Sequence, residues 1–170
     1  MTLGGVEIVF EVKEIVAERA WVDDVVHGGT VGERIRQKIN ASKGQMQVAS
    51  RQGKPTVLLI FNNYDPLHLS GTENHDFEHA MYGEYTLRMD VVTRQIVDRF
   101  HGQGKSFQRV KNTSFSALGR MKDTGRKATV TITLFENIHA SVPIDYATLP
   151  ACFEVVRVAR LSSEAPTSRP

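Results

Sequence analysis

A long amphipathic segment between two strongly apolar, β-branched segments constrains the fold of this chain more than any other feature. Residues Val6–Val16 predict a strand, because β-branched side chains recur there at alternating positions. A helix is expected from about Val31 to Gln52, and Thr56–Phe61 predicts a second, buried strand. Strand, helix and strand with short connections form a βαβ unit, so the two strands should be parallel and joined by a right-handed crossover.

The expected helix carries start and stop signals at both ends. Thr30-Val-Gly-Glu33 has the capping-box pattern, in which a hydroxyl and a carboxylate satisfy unpaired backbone N–H groups. Gly53 is a suitable C-cap, and Pro55 prevents the helix from continuing. An apolar stripe at helical spacing predicts the buried face: it consists of Ile35, Ile39, Met46 and Ala49.

The remaining segments complete an α/β (or α+β) domain with a mixed sheet around the strand–helix–strand unit. The apolar content of the first strand predicts a central strand covered on both faces. One domain is expected over residues 1–161, with a disordered tail at 162–170. The other predicted elements are a helix at His75–Tyr82, strands at Tyr85–Val92, Gln95–Arg99, Lys127–Phe135 and Phe153–Val158, and a short helix capped by Asn112-Thr113-Ser114 that carries Phe115, Ala117 and Leu118.

Composition narrows the class of protein. With 170 residues, 41% hydrophobic and 24% charged, the chain is long enough and apolar enough for a packed core. No apolar run approaches the ~20 residues of a membrane helix, so no membrane partner is expected. The N-terminus lacks a signal-peptide pattern and Cys152 is the single cysteine, so a reducing cytoplasm is expected, with Cys152 buried rather than nucleophilic.

Positive charge is concentrated in the middle of the chain. The formal net charge is only +2, but ten Lys and Arg residues lie between Arg88 and Lys127. Two interpretations remain open: a solvated sheet surface, or a surface that faces phosphate groups. Nucleic acid is therefore one candidate partner.

The first strand also carries two candidate catalytic residues. Glu11 and Lys13 lie two residues apart, so both side chains project from the same face, roughly 7 Å apart along the strand. A carboxylate can bind Mg²⁺, and an ammonium can position water and offset charge during phosphodiester hydrolysis. An ordinary surface ion pair is the alternative. On the helix, Lys38 and Gln45 lie seven residues apart on one flank of the apolar stripe, so both could face this pair.

At Glu11-Val12-Lys13 the sequence resembles the PD-(D/E)XK, or restriction-endonuclease-like, superfamily, in which a (D/E)-x-K strand precedes a long helix and a parallel strand. The resemblance implies a Mg²⁺- or Mn²⁺-dependent nuclease with Glu11 as metal ligand, Lys13 as catalytic residue, and Lys38 and Gln45 in support. The superfamily also places an Asp on the preceding strand, for which residues 1–5 leave no room. Either the reading frame starts upstream, or the core lacks its first elements. Glu7 would lie about 13 Å from Glu11, too far to share an ion, and Asp23 or Asp24 would have to fold back.

A second resemblance covers most of the chain. It is similar to a set of uncharacterised bacterial proteins assigned to the same superfamily. The matching residues are Ala80-Met81-Tyr82-Gly83, Asn112-Thr113-Ser114-Phe115-Ser116-Ala117, Asn137-Ile138-His139-Ala140 and Pro143.

His75-Asp-Phe-Glu-His79 offers a competing zinc hypothesis, because it matches the H-x-x-E-H pattern of inverzincins. On a helix, His75 and His79 could bind one Zn²⁺, with Glu78 as general base. Three functions therefore remain: a metal-dependent nuclease, a catalytically degenerate nuclease fold that binds or assembles, including as a homodimer through an exposed sheet edge, and a zinc hydrolase.

Overall fold

A computed structural model describes residues 1–3, 5–16, 30–63, 71–123 and 130–157. No helix in these ranges is long and apolar enough to cross a membrane. Asp23, Asp24, Lys127 and the expected tail at 162–170 lie outside them. The elements in chain order are β1 Thr2–Leu3, β2 Val6–Glu7, β3 Val9–Ile15, α1 Glu33–Arg51, β4 Thr56–Asn62, α2 Asn74–Tyr82, β5 Tyr85–Met89, β6 Ile96–His101, β7 Ala117–Asp123, β8 Val130–Glu136, a 3₁₀ turn Tyr146–Thr148, and β9 Phe153–Val156.

The main sheet is mixed and has five strands in the order β3-β4-β7-β8-β9. The pairs β3–β4, β4–β7 and β8–β9 are parallel, and β7–β8 is antiparallel. Strands β1–β2 and β5–β6 form two separate antiparallel pairs. The expected α/β (or α+β) class is confirmed, and β3, α1 and β4 form the predicted parallel unit.

The prediction that the first strand is central was wrong. Strand β3 ends the order of the main sheet and is paired only with β4 among the described strands. Val12 shows the consequence, because its side chain is 56% exposed. The central, doubly covered strand is β4, in which every residue except Phe61 is buried. Apolar content indicated burial correctly for β4, but it could not assign the order of the strands.

Helix α1 packs the predicted stripe into the core and also buries Ser42. Its cap differs from the expected capping box. Glu33 accepts a hydrogen bond from the Thr30 N–H at 3.2 Å, as predicted, whereas the Thr30 hydroxyl accepts from Arg36 instead. The cap residue itself is Gly32, in the left-handed conformation with φ 73°. The helix therefore begins two residues later than expected.

Strand β7 replaces the short helix that was expected around Phe115, Ala117 and Leu118. The chain enters β7 through Ser116, whose N–H donates to the Thr56 carbonyl at 2.8 Å, and whose hydroxyl accepts from the Thr56 N–H at 2.8 Å. Pairing with the buried strand β4 satisfies these backbone groups and overrides the local capping signal. Cys152, expected to be buried, is exposed.

The sheet has a core on each face. On one face, α1 and α2 cover Ile15, Leu58 and Ile60. On the other, the segment around Ile144 and Tyr146 covers Val57, Leu59 and Leu134. The rings of Phe10 on β3 and Phe153 on β9 stack with centroids 6.3 Å apart. Four strand spacings of a flat sheet would separate them by about 19 Å, so the sheet curls around this second core.

Gly32, the cap residue of α1, lies directly against α2. A Cβ there would lie 2.5 Å from the Asp76 carbonyl oxygen and 2.9 Å from the Ala80 nitrogen. Gly53 has the same φ of 73°, but the position that a Cβ would occupy there has no heavy atom within 4 Å. The two glycines therefore separate the effect of backbone conformation from the effect of steric overlap.

We expect Gly53→Ala to lower the free energy of unfolding by about 1–2 kcal/mol, because alanine is strained in the left-handed conformation. Gly32→Ala should lose an additional ~1–3 kcal/mol from steric overlap between the two helices. Urea unfolding measures both free energies, and equal losses would contradict the close approach of α1 and α2.

Candidate functional site

Strand β3 places Glu11 and Lys13 on the face that α1 covers. Their side chains form an ion pair, with Lys13 Nζ 2.8 Å from Glu11 Oε1. Glu11 is the more enclosed partner, with 13% of its side chain exposed against 34% for Lys13. The pair therefore lies at a partly enclosed position between strand and helix, where solvent weakens the interaction less than on an open surface.

Gln45 approaches Glu11 from α1. Its side-chain amide can be oriented in two ways, which differ in the position of nitrogen and oxygen. With nitrogen toward the strand, Gln45 donates to both carboxylate oxygens of Glu11. With oxygen toward the strand, three oxygen atoms would face one another without a proton between them. The first orientation satisfies both groups, so Gln45 acts as a hydrogen-bond donor that holds the Glu11 carboxylate in place.

Lys38 lies on the same flank of α1 as Gln45 and is half-buried. The structure shows it in no ion pair with any carboxylate of the described ranges, Glu11 included. Gln45 thus contacts Glu11 on the first strand, as expected. Lys38 lies almost two helical turns from Gln45.

The nearest carboxylates along the strand have other partners. Glu7 lies in β2 and pairs with Lys54 at 3.0 Å. Glu14 accepts a hydrogen bond from Asn63 at 2.6 Å. Within the described ranges, Glu11 therefore belongs to no group of three converging acidic, His or Cys ligands. Glu11 alone would supply a single carboxylate ligand, so a divalent cation there would need water and substrate phosphate for its remaining positions, as Mg²⁺ often does.

The zinc hypothesis places His75, Glu78 and His79 on α2, which has only nine residues. The two imidazole rings are 6.2 Å apart and nearly perpendicular. Glu78 lies 3.8 Å from His101. The ligand atoms that converge belong instead to Glu73, His75 and Asp76.

The carboxylates of that group already have a structural role. Glu73 and Asp76 form a reciprocal capping box at the start of α2, in which the Asp76 carboxylate accepts from the Glu73 N–H at 2.9 Å. His75 Nδ1 lies 3.2 Å from the Glu73 carboxylate. The cluster is thus accounted for as a helix cap, and His79 does not belong to it.

Arg120 is a prominent residue on this face that the motifs did not single out. The strand register aligns Lys13, Ile60, Arg120, Thr133 and Glu154 in one row across the sheet. Directly paired residues of neighbouring strands project from the same face, so Arg120 and Lys13 share the α1 side with one strand between them. The sequence did not reveal Arg120, because the start of its strand was interpreted as a helix.

Arg120 holds the start of α2 against the sheet. Its guanidinium donates to the Thr72 carbonyl and to Asn74 Oδ1, both at 3.1 Å, and to the Thr133 hydroxyl at 3.3 Å. Burial lowers the pKa of Arg120, whereas the charges of Glu154 and Glu73 raise it. A guanidinium remains charged despite such shifts. These contacts give Arg120 a positioning role.

The motif residues of the second resemblance meet in one buried network. The Tyr82 hydroxyl donates to the Glu136 carbonyl at 2.7 Å and accepts from the Ile138 N–H at 3.1 Å. Asn137 is buried and donates to the Phe115 carbonyl at 2.6 Å. These bonds join the end of α2 and the turn after β8 to the entrance of β7. Tyr82 and Asn137 therefore stabilise the fold.

No protein-family model, curated protein or solved structure matches this chain. The functional assignment therefore depends on the geometry of the site.

Tyr82 predicts a loss of stability at high pH. Burial, as the largest cause, raises the pKa of Tyr82 from 10.0 to about 12. As the pH rises, the unfolded chain thus releases the phenolic proton before the folded protein does. The stability that the neutral Tyr82 phenol contributes is therefore complete below pH 10 and disappears as the pH rises toward 12. Tyr82→Phe should flatten this part of the decline, while costing about 1–2 kcal/mol at pH 8 because two backbone groups lose their partner.

Urea unfolding at pH 8 to 11 measures this effect. Tyr85→Phe is the matched control, because Tyr85 is exposed and its substitution should leave the curve unchanged. An identical pH dependence for wild type and Tyr82→Phe would contradict the prediction.

Proposed function

We propose that this protein is a metal-dependent phosphodiesterase of the nuclease type, which acts on DNA or RNA with Mg²⁺ or Mn²⁺. The observation that carries the proposal is the convergence of Glu11, Lys13 and Gln45 between β3 and α1. A carboxylate, an ammonium and an amide at one partly enclosed position combine the groups that such hydrolysis needs.

Each residue has a distinct role in this proposal. The Glu11 carboxylate would bind the divalent ion together with water and a substrate phosphate, and Gln45 would hold that carboxylate in place from α1. The bound ion would supply Lewis-acid polarisation of the phosphate. Lys13, held 2.8 Å from Glu11, would orient the attacking water and offset the negative charge that develops on the phosphorus oxygens. Lys38 would attract the phosphate backbone toward the site.

Lys13→Met tests this function. Loss of a positioned charged group of this kind should reduce cleavage of labelled single- and double-stranded DNA and RNA in Mn²⁺ by about a hundredfold or more. Lys54→Met is a closely matched control, because Lys54 is also paired with a Glu and has 33% of its side chain exposed, against 34% for Lys13. Cleavage should persist in the control. Equal rates for Lys13→Met and wild type, or no cleavage by wild type under any condition, would overturn the proposal.

A second candidate function is non-catalytic assembly through β3, which the edge position of this strand favours. Among the described strands, β3 pairs with β4 alone, so its other side offers backbone donors and acceptors to a further strand. Exposed Val12 adds an apolar side chain at this edge. A second copy of the chain is the partner proposed, because edge strands of identical chains can pair directly.

The assembly function predicts a dimer by size-exclusion chromatography with light scattering. Val12→Lys should shift the protein toward monomer, since a charged side chain opposes strand pairing at an edge. Val48→Lys, on an exposed position of α1, is the control and should not change the molar mass. A wild-type monomer at high concentration would exclude this mode of assembly.

A further inference from the structure

A groove of about 430 Å³ lies on the other flank of α1, away from Gln45. Lys43, Gln47 and Ser50 of α1 form one wall, at helical spacings of four and three residues. The opposite wall is the segment that leads into β7, with Lys111 and Ser114. The groove is therefore separated from Glu11 by the width of the helix.

The lining of the groove is cationic. It contains Lys43, Arg51 and Lys111, and none of the ten residues that line it is acidic. Neither Lys43 nor Arg51 forms an ion pair with a carboxylate in the part of the chain that the structure describes. Lys111 donates to the Lys105 carbonyl at 3.2 Å, a contact that leaves its charge uncompensated. Three positive charges without a carboxylate favour an anionic ligand.

Two buried polar groups of the lining have no described partner. The Ser114 hydroxyl and the Asn112 side-chain oxygen are enclosed without a hydrogen bond, and the two residues are only 9% and 7% exposed. Both atoms are shielded from solvent, and the Asn112 oxygen can only accept a hydrogen bond, so the cationic side chains supply the contacts to a ligand in the groove. Ser50 and Ser141 also line the groove, where the Ser141 hydroxyl donates to the Thr113 carbonyl at 2.9 Å and lies 3.0 Å from the Ser50 hydroxyl.

We propose that this groove binds a phosphate group, carried by a nucleic-acid strand or by a free nucleotide. Lys43, Arg51 and Lys111 would neutralise its charge and donate to its oxygens. The proposal does not require hydrolysis at Glu11, since the residues involved lie on the opposite flank of α1. With a nucleic-acid strand as ligand, it deepens the proposed nuclease function by adding a separate backbone contact.

Binding is tested in EDTA, so that cleavage plays no part. The probes are a fluorescein-labelled 20-nucleotide oligothymidine, followed by anisotropy at several salt concentrations, and ADP, followed by calorimetry. Lys43→Met/Arg51→Met should weaken binding of the responding probe at least tenfold and, for the oligonucleotide, reduce the salt slope by about two. Arg99→Met/Lys122→Met removes the same charge from exposed positions on other elements and should have a much smaller effect.

Thermal unfolding of the groove variant separates binding from folding. Lys43→Met/Arg51→Met replaces two exposed side chains, so its melting temperature should stay close to that of wild type while affinity falls. Binding of the oligonucleotide alone identifies a strand backbone as the phosphate source, and binding of ADP alone identifies a free nucleotide.

The proposal is overturned if neither probe binds, or if the groove variants bind as wild type does. The nuclease function is assessed separately by cleavage with Lys13→Met. Groove variants that bind normally while Lys13→Met abolishes cleavage would reject the groove alone, and the reverse pattern would reject the nuclease alone.

Discussion

Strand β4 is the element on which the rest of the structure depends. It is buried on both faces and hydrogen-bonded to parallel strands at both edges. A parallel pair needs a crossover, and α1 supplies it by running back over the sheet from the end of β3 to the start of β4. This return path carries Gln45 past Glu11. The contact at the candidate site is thus a consequence of the crossover, and it would be lost if β3 paired with another strand.

The parts of the fold that local patterns determine were predictable. The stripe of Ile35, Ile39 and Met46 located α1 and its buried face, and the two-residue spacing of Glu11 and Lys13 placed both on one side of the strand. The order of the strands was not predictable, because it depends on contacts between residues far apart in the chain. Strand β3 was therefore assigned to the interior of the sheet, although it lies at one end of the strand order and β4 is its interior neighbour.

Strand β7 shows why the candidate site was only partly predictable. Asn112-Thr113-Ser114 carries a good capping signal, but Ser116 is bound to Thr56 at the start of β4, and this tertiary pairing determines an extended chain. The error concealed Arg120, because only the strand register places it in one row with Lys13 and Glu154. The sequence alone did not distinguish Arg120 from the other basic residues of the middle stretch.

The distinctive motifs of the chain and its candidate chemistry lie in different places. Tyr82 and Asn137 are held by hydrogen bonds to buried backbone groups, which explains their residue types without any reaction. Tyr82 and Asn137 therefore stabilise the fold, whereas the proposed activity depends on Glu11 and Lys13.

The two flanks of α1 differ in charge, and this difference connects the two proposals physically. The Glu11 flank combines a carboxylate with Lys13 and Lys38, whereas the other flank carries Lys43 and Arg51 with no acidic residue in the groove and attracts anions. A helix with its side chains is about 10–12 Å wide, so a strand of a few nucleotides could reach both flanks. A phosphate held in the groove would then increase the local concentration of the next phosphodiester at Lys13. Binding and cleavage would remain separable, because no residue is shared between the two sites.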